Sequence, residues 1–390
     1  MKIEIPAQIA VAMTILEDAG HEAFLVGGCV RDALRGVSPH DFDMATSALP
    51  EQTCRLFSGY RTIETGLRHG TLTVLIAGMP IEITTYRVDG VYADHRRPEQ
   101  VTFTPSLTED LARRDFTVNA MAYSPRDGLV DPFGGQEDLA AGVIRAVGDP
   151  VRRFSEDALR ILRALRFSAR FGFSIEGETA AAAHALAGTL EKIAPERVRE
   201  ELYGILVADS AEAVISQYRG ILSGIIPEGN AGARLASLPP ELPLRLAEYF
   251  LEERDKAGGA LRRLRADNQT IRAVTSLLRL NDCEIEATHA ALCRLLRTAP
   301  PEILRSAFAL RALHGRDDRI AAEKMEEILA SGACYTVSML AVSGDDVAAL
   351  GIPRGPMLGR TLEDAYTAVI EGCIPNEREA LLRYLAKKAT

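Results

Sequence analysis

The sequence predicts an α+β protein, with a small α/β head followed by an elongated all-helical body. Two observations predict it. In the first third, short β-branched runs bounded by Gly and Pro alternate with helical spacing; after Asp149-Pro150 the strand signals fade, and long Leu/Ala/Arg/Glu stretches continue to the end. The 390 residues suit two or three domains, and 47% hydrophobic with 25% charged residues is an ordinary globular composition.

Several classes are excluded at this level. The balance of 45 Lys+Arg against 54 Asp+Glu gives a net charge of −9, which is not a basic nucleic-acid coat. No stretch approaches the roughly 18 uncharged apolar residues of a membrane span. The start Met1-Lys2-Ile3-Glu4-Ile5-Pro6 carries an acid and a proline where a signal peptide needs a basic start and an apolar run, so a cytoplasmic chain is expected. Cys29, Cys54, Cys283, Cys293, Cys334 and Cys373 are dispersed and contain no C-x-x-C pair. They read as small buried hydrophobes in a reducing compartment, not as a zinc cage or a disulfide framework.

The elements follow in order. Phe24-Leu25-Val26 is a buried strand stopped by Gly27-Gly28, and residues 41–45 form a second strand. Thr71-Leu72-Thr73-Val74-Leu75-Ile76 and Ile81-Glu82-Ile83-Thr84-Thr85-Tyr86 are hairpin arms joined by Ala77-Gly78-Met79-Pro80. A helix starts at about Ser155, and the Ala-rich run 179–187 is a tightly packed helix. Breaks at Asp149-Pro150, in the Gly/Pro-rich stretch 224–243 and at 351–356 divide the chain into a head (1–149), a neck (150–223), a body (224–350) and a tail (351–390).

Chemistry concentrates in the head. On a strand over 41–45, a period of two puts Asp41 and Asp43 on one face, with Phe42 and Met44 on the other. Adjacent carboxylates repel, and a divalent cation between them relieves the repulsion; Mg²⁺ favours a few carboxylates plus phosphate oxygens. Just upstream, the Gly27-Gly28 turn lets backbone N–H groups approach an anion, and Arg31 adds a positive fork for phosphate. Glu82, in a strand otherwise of Ile and Thr, is either a solvated strand face or an acid able to take a proton or to steady metals.

These residues resemble the signature of the class II nucleotidyltransferases, the group that contains tRNA CCA-adding enzymes and bacterial poly(A) polymerases. The resemblance runs from Leu25-Val26-Gly27-Gly28-Cys29-Val30-Arg31-Asp32 with Asp41 and Asp43 through Arg113-Arg114-Asp115-Phe116-Thr117-Val118-Asn119-Ala120 and Asp131-Pro132-Phe133-Gly134-Gly135. It continues in Glu156-Asp157-Ala158-Leu159-Arg160-Ile161-Leu162-Arg163-Ala164 and Glu196-Arg197-Val198-Arg199-Glu200-Glu201-Leu202, which covers the first half of the chain in order. It implies a nucleotidyltransferase head with a mixed sheet, Mg²⁺ held by Asp41 and Asp43, and catalysis by those two with Glu82. Asp157 and Arg160 would read the incoming base, Arg163 and Arg166 would help hold the nucleotide, and Arg114 would reach it from the second motif. Arg113 is equally readable as a scaffold salt bridge.

Residue chemistry agrees with that assignment. Asp157, Arg160, Arg163 and Arg166 recur every three residues along a helix packed by Leu159, Leu162 and Leu165. An Asp accepts from an exocyclic amine while an Arg donates to the neighbouring acceptor, a pairing that cytosine and adenine satisfy and that uracil and guanine do not. The bland alternative is a solvated charged face with pairs such as Glu156–Arg160.

Within the family, the mobile loop expected at residues 86–98 is complete, which argues against a specialist for the two cytidines. Tyr60-Arg61-Thr62-Ile63-Glu64-Thr65-Gly66-Leu67-Arg68-His69-Gly70 and the tail segments Gly344-Asp345-Asp346-Val347, Gly355-Pro356 and Pro375-Asn376-Glu377 look like the tRNA enzymes, not poly(A) polymerases. The expected substrates are CTP, ATP and the acceptor and TΨC arms of tRNA, with neither a membrane nor a stable protein partner. Arg262, Arg263, Arg265, Arg272 and Arg279, with Arg294 and Arg297 beyond, are candidate tRNA phosphate contacts or simply a soluble surface. His314-Gly315-Arg316-Asp317-Asp318 lacks an adjacent His-Asp pair, so no phosphohydrolase domain is expected. The alternatives are an A-adding specialist, a poly(A) polymerase of the same class, or a tRNA-binding protein whose catalysis has decayed.

Overall fold

A computed structural model describes residues 3–39, 41–90, 101–230 and 232–389, and the chain divides into two units, Met1–Gly232 and Ala233–Thr390. In the first unit, α1 (Ala7–Asp18) precedes β1 (Ala23–Val26), α2 (Gly28–Leu34), β2 (Asp43–Thr46), α3 (Pro50–Leu56), β3 (Arg61–Ile63), β4 (Thr71–Ile76) and β5 (Met79–Thr85). A ribbon of β6 (Arg87–Asp89) and β7 (Val101–Phe103) follows, then α4 (Leu107–Ala112), β8 (Ala122–Ser124), β9 (Gly128–Val130) and α5 (Gly135–Ala141). The unit ends in helices: α6 (Pro150–Glu156), α7 (Leu159–Phe171), α8 (Gly177–Ala185), α9 (Pro195–Leu206), α10 (Ala211–Gln217) and α11 (Arg219–Ile225).

The sheet has seven strands in the order β3-β4-β5-β2-β1-β8-β9. β2 and β5 run parallel and the other neighbours antiparallel, so the head carries the mixed sheet that the resemblance implied. The alternation in β4 buries Leu72, Val74 and Ile76. They join Ile9, Leu16, Met44, Phe57 and Ile81 in one core cluster, while Phe24, Val26, Ala45, Tyr86, Leu111 and Ala122 form another.

Three local expectations change. The second strand begins at Asp43, not at residue 41, because Val26, the last residue of β1 before the Gly27 turn, is already opposite Asp43. No β1 backbone remains to pair with residues 41 and 42, and Asp41 stands in the bend ahead of the strand. The hairpin turn is shorter than expected: Ala77 (φ 49°) and Gly78 (φ 84°) suffice, with the two positive φ angles that suit the strand twist. Pro80 is therefore inside β5, beyond the stretch that β2 covers, where a missing N–H is tolerated. The helix expected from Ser155 is two helices, broken where Asp157 adopts an extended conformation (φ −140°, ψ 103°).

The described part of the second unit contains helices and no strand: α12 (Leu242–Tyr249), α13 (Arg254–Arg263), α14 (Asn268–Asp282), α15 (His289–Thr298), α16 (Pro301–Leu313), α17 (Arg319–Ser331), α18 (Gly344–Ala349), α19 (Pro356–Ile370) and α20 (Arg378–Ala389). Among the described residues no helix is long and apolar enough to cross a membrane. All six cysteines are free; Cys29, Cys293 and Cys334 are buried as expected, whereas Cys283 and Cys373 are exposed. Of the loop expected at 86–98, residues 91–98 lie outside the described residues.

Gly135, at the start of α5, packs without a side chain against the segment that carries Thr117 and Met121. A Cβ there would meet the Thr117 carbonyl oxygen at 2.3 Å and Met121 Cγ at 2.8 Å. Gly135→Ala is therefore expected to lower stability by about 1–3 kcal/mol, the usual cost of overpacking. Urea unfolding of the two proteins checks this, and equal stability would contradict the packing described.

Candidate active site

The parallel register of β2 and β5 sets Asp43 beside Glu82, and side chains paired in this way point to the same side of the sheet. Both remain open to solvent. Surrounding protein nevertheless raises the Asp43 carboxyl above its usual range, opposed by the Arg114 charge and reinforced by Asp41. Glu82 is raised by partial burial, then by Asp43 and Asp41. Asp43 and Glu82 are both raised and Asp41 adds negative charge beside them, so these acids form a donor set that suits a divalent cation. Among the described residues, no three His, Cys, Asp or Glu side chains converge into a ready metal cage. Asp41 and Asp43 could supply two protein ligands to such a cation.

Next to these acids the chain turns sharply at Gly27 (φ 75°). Here the left-handed φ calls for glycine, and a Cβ, 2.9 Å from Arg114 Nη1, would also displace the end of that side chain. Arg114 Nη2 donates to Asp110 at 3.3 Å, and its Nε is buried without a hydrogen-bond partner. Arg31, only 5% exposed, donates from Nε and Nη2 to Asp32 at 2.9 and 3.0 Å and from Nη1 to Asn119. Its guanidinium also faces the rings of Phe171 at 4.8 Å and Phe167 at 5.5 Å. Arg31 thus enters the site as a buried, pre-oriented fork joining α2 to α7.

A cavity of about 470 Å³ opens over this corner. Its walls bring Gly27, Gly28, Arg31, Asp43 and Arg114 together with Asp157, Arg160, Arg163 and Arg166. Asp41 and Glu82 are not among the wall residues, although their charges reach Asp43 and each other. Asp157 does not lie on the helix but at its entry, where Oδ1 accepts the Leu159 N–H at 3.1 Å and Oδ2 accepts Arg197 at 2.9 Å. Arg160 is almost buried. Its Nη1 donates to Glu156 at 2.9 Å and to the Arg153 carbonyl at 3.1 Å, and its Nη2 donates to the Arg113 carbonyl at 3.1 Å. The i, i+4 pair with Glu156 does form, and it orients a guanidinium inside the cavity wall.

Arg163 donates to Asp115 Oδ2 from Nε at 2.8 Å and from Nη2 at 2.6 Å. Arg166 pairs with Glu201, and both arginines face the Phe167 ring. Burial pushes the Asp115 carboxyl up, but Arg163, the Asn119 amide and Arg160 outweigh it and hold the group at about 2. Arg113 takes the scaffold role, donating twice to Asp110 at 3.0 and 2.8 Å.

Sequence reasoning missed Asp110, Arg197, Glu201 and Asn119. Asp110 is fully buried, accepts from Arg113, Arg114 and the Arg87 N–H, and so steadies the second motif from one point. Its position three and four residues before the two arginines was the available signal. Arg197–Asp157 and Arg166–Glu201 join residues 40 and 35 positions apart, beyond the reach of periodicity. In the second unit Arg262, Arg263, Arg265, Arg272, Arg279, Arg294 and Arg297 are all exposed, and Arg294 pairs with Glu371 and Arg297 with Glu363.

A mixed sheet that sets a carboxylate pair beside a Gly-Gly turn, under an arginine-walled cavity, is the layout of a nucleotidyltransferase head. Residues 23–145 match the model of the poly A polymerase head domain, residues 172–231 that of the probable RNA- and SrmB-binding site of polymerase A, and residues 247–385 that of a putative tRNA nucleotidyltransferase domain 2. The CCA-adding enzyme of Limosilactobacillus fermentum is 36% identical, with 98% of each chain covered. That of Leuconostoc mesenteroides is 54% identical over 199 residues, covering 51% of this chain and 49% of its own. The crystal structure of the Bacillus stearothermophilus CCA-adding enzyme in complex with CTP superposes with a TM-score of 0.83 at 32% identity, covering 98% of this chain and 96% of that one. The chain belongs to the family of the CCA-adding enzymes. Nucleotidyltransferases of this family generally use a divalent metal.

The Asp115–Arg163 pair has a thermodynamic signature. The Asp115 pKa is depressed from 3.8 to about 2 by folding, so its stabilisation is fully present above about pH 4 and is lost as the pH falls towards 2. Asp115→Asn is expected to be less stable than the parent at pH 7, with the gap closing between pH 4 and 2. Thermal unfolding across that range checks it; a gap independent of pH would contradict the pairing.

Proposed function

We propose that this chain completes the 3′ end of tRNA, adding C, C and A without a nucleic-acid template, consuming CTP and ATP and releasing pyrophosphate. One observation carries the reading: a single cavity is lined both by the Gly27-Gly28 turn with Asp43 and by Asp157 with Arg160, so one ligand can meet a phosphate and carboxylate corner and a polar base-reading pair together. Full-length likeness to CCA-adding enzymes supports it, as does the CTP complex of the Bacillus stearothermophilus relative.

The residues divide the work. Asp157 accepts the exocyclic amine of cytosine or adenine, and Arg160 donates to the ring acceptor beside it; a carbonyl in place of the amine meets a carboxylate that cannot donate. Glu156 and two backbone carbonyls keep Arg160 in one orientation, which a fixed reader of bases requires. Gly27 and Gly28 let the backbone approach the triphosphate, with Arg31, Arg114, Arg163 and Arg166 supplying positive charge. As the RNA 3′-oxygen bonds to the α-phosphorus, the bond to the bridging oxygen breaks and pyrophosphate leaves with its electron pair. Glu82, its pKa raised, accepts the hydroxyl proton beside Asp41 and Asp43. Asp41 and Asp43 would hold Mg²⁺, which would supply neutralisation of the charge that develops on the phosphates.

The head (1–149) then carries chemistry, the neck (150–223) the base reader, and the body (224–350) and tail (351–390) the grip on the acceptor and TΨC arms of tRNA. Exposed Arg262, Arg263, Arg265 and Arg272 on α13, α14 and their link are the phosphate contacts, and a match to a tRNA nucleotidyltransferase domain over 247–385 supports that assignment. The cytoplasm, where tRNA and both nucleotides are available, is the compartment.

The test is incubation with tRNA lacking its CCA end, Mg²⁺ and labelled nucleotide. CTP is expected to add two residues and ATP then one. Addition of A alone to tRNA ending in CC would indicate an A-adding specialist, long A tracts a poly(A) polymerase, and no incorporation a binding protein. Asp41→Asn is expected to abolish incorporation while filter-bound tRNA is unchanged; retained transfer would refute the metal assignment.

A further inference from the structure

Eight arginines stand in the cavity wall, and seven of them have a carboxylate partner. The eighth is Arg170, in the last turn of α7. It is exposed, and among the described residues it has no ion pair; its guanidinium lies 5.6 Å from the centre of the Phe171 ring. The same ring is faced by Arg31 at 4.8 Å and by Arg35 at 4.4 Å. Three cations therefore surround one phenylalanine. Asp32, at 2.9 Å from Arg31 and 3.9 Å from Arg35, is the carboxylate paired with that group. Around Phe171 three guanidiniums thus share one carboxylate, so like charges crowd at the C-terminal end of α7, where an anion relieves them. Burial and the Arg170 charge both pull the Arg31 pKa down, with Asp32 opposing, which is the same crowding seen from its buried member.

Position along the helix says which anion. Asp157 and Arg160 stand at the entry to α7, and from residue 160 to residue 170 the axis advances ~15 Å. A nucleotide whose base edge meets the first end and whose α-phosphate lies near Asp43 extends its remaining phosphates toward the second. We propose that Arg170 binds the terminal phosphates of the incoming nucleoside triphosphate, and the pyrophosphate released from them. This rests on the reading of the cavity as a nucleoside triphosphate site.

The arginine suits that task in a way its neighbours do not. Each paired guanidinium must share its donors between a carboxylate and the ligand, and so acts as fixed wall. Arg170 keeps all its donors for a mobile polyanion and lies at the solvent edge, where a leaving group departs. Because it stands far from the base-reading end, its contribution is the same for CTP and ATP.

The experiment compares full-length wild type, Arg170→Gln and Arg170→Lys. It measures KM for CTP, ATP and tRNA lacking CCA, inhibition by inorganic pyrophosphate, and binding of CTP against CMP. Arg170→Gln is expected to raise both nucleotide KM values about tenfold and to weaken pyrophosphate inhibition by a similar factor. The KM for tRNA and the affinity for CMP stay unchanged, and Arg170→Lys recovers most of the loss. Unchanged CTP and pyrophosphate affinities would overturn the proposal. So would a loss confined to tRNA, which would assign Arg170 to the RNA backbone, or equal losses for CMP and CTP. If wild type itself neither incorporates nucleotide nor prefers CTP to CMP, the reading of the cavity fails instead.

Discussion

A cavity built to receive a polyanion must hold many positive charges close together before the anion arrives, and this constraint shapes the neck of the molecule. Left alone, guanidiniums along one side of α7 would repel one another and splay. Instead Asp115 holds Arg163, Glu201 holds Arg166, Glu156 holds Arg160 and Asp110 holds both Arg113 and Arg114. The partners of the α7 arginines come from the segment before Phe116, α6 and α9, so neutralising the charge also fastens α7 to the elements around it. Pairs this sheltered are worth keeping intact: removal of one partner leaves the other with an unsatisfied charge, at a typical cost of about 3–5 kcal/mol. The same pairs fix guanidinium orientation, and orientation is what a protein needs if side chains are to discriminate bases.

At the sheet the opposite arrangement holds. Asp41, Asp43 and Glu82 gather negative charge with Arg114 opposing, and burial, reinforced by the neighbouring acids, raises Asp43 and Glu82. A cation bound there would relieve that repulsion. The geometry follows from backbone pairing: β1 ends at Val26 because the chain must turn at Gly27, and that ending fixes β2 to begin at Asp43, in register with Glu82. One glycine with a left-handed φ thereby sets the approach of Arg114 on one side and the position of the acids on the other.

Much of this was legible in the sequence because it is local. The apolar run before Gly27-Gly28, the hairpin arms and the periodic arginines each declare themselves within a few residues. Where the reading slipped, a distant partner decided. Whether residues 41 and 42 belong to a strand depends on where β1 ends, and the break at Asp157 is stabilised by its own cap on Leu159 together with Arg197, 40 residues away. Asp115–Arg163 spans 48 residues, so composition could show an excess of arginine in the motifs but not which carboxylate each one meets. The surface arginines illustrate the converse: Arg294 and Arg297 looked like their neighbours Arg262 and Arg272, yet they close ion pairs with α19 and its end.

The central claim is that protein side chains take the place of a template strand, with Asp157 sensing the exocyclic amine. The most direct measurement gives wild type and Asp157→Ala two substrates, CTP and its analogue 2-pyrimidinone riboside triphosphate, which lacks only that amine. Wild type is expected to lose at least about tenfold in kcat/KM on the analogue, the worth of roughly one hydrogen bond to a charged group. The variant is expected to use both at the same rate. An equal penalty in the two proteins would contradict the account, because the amine would then be recognised somewhere other than Asp157.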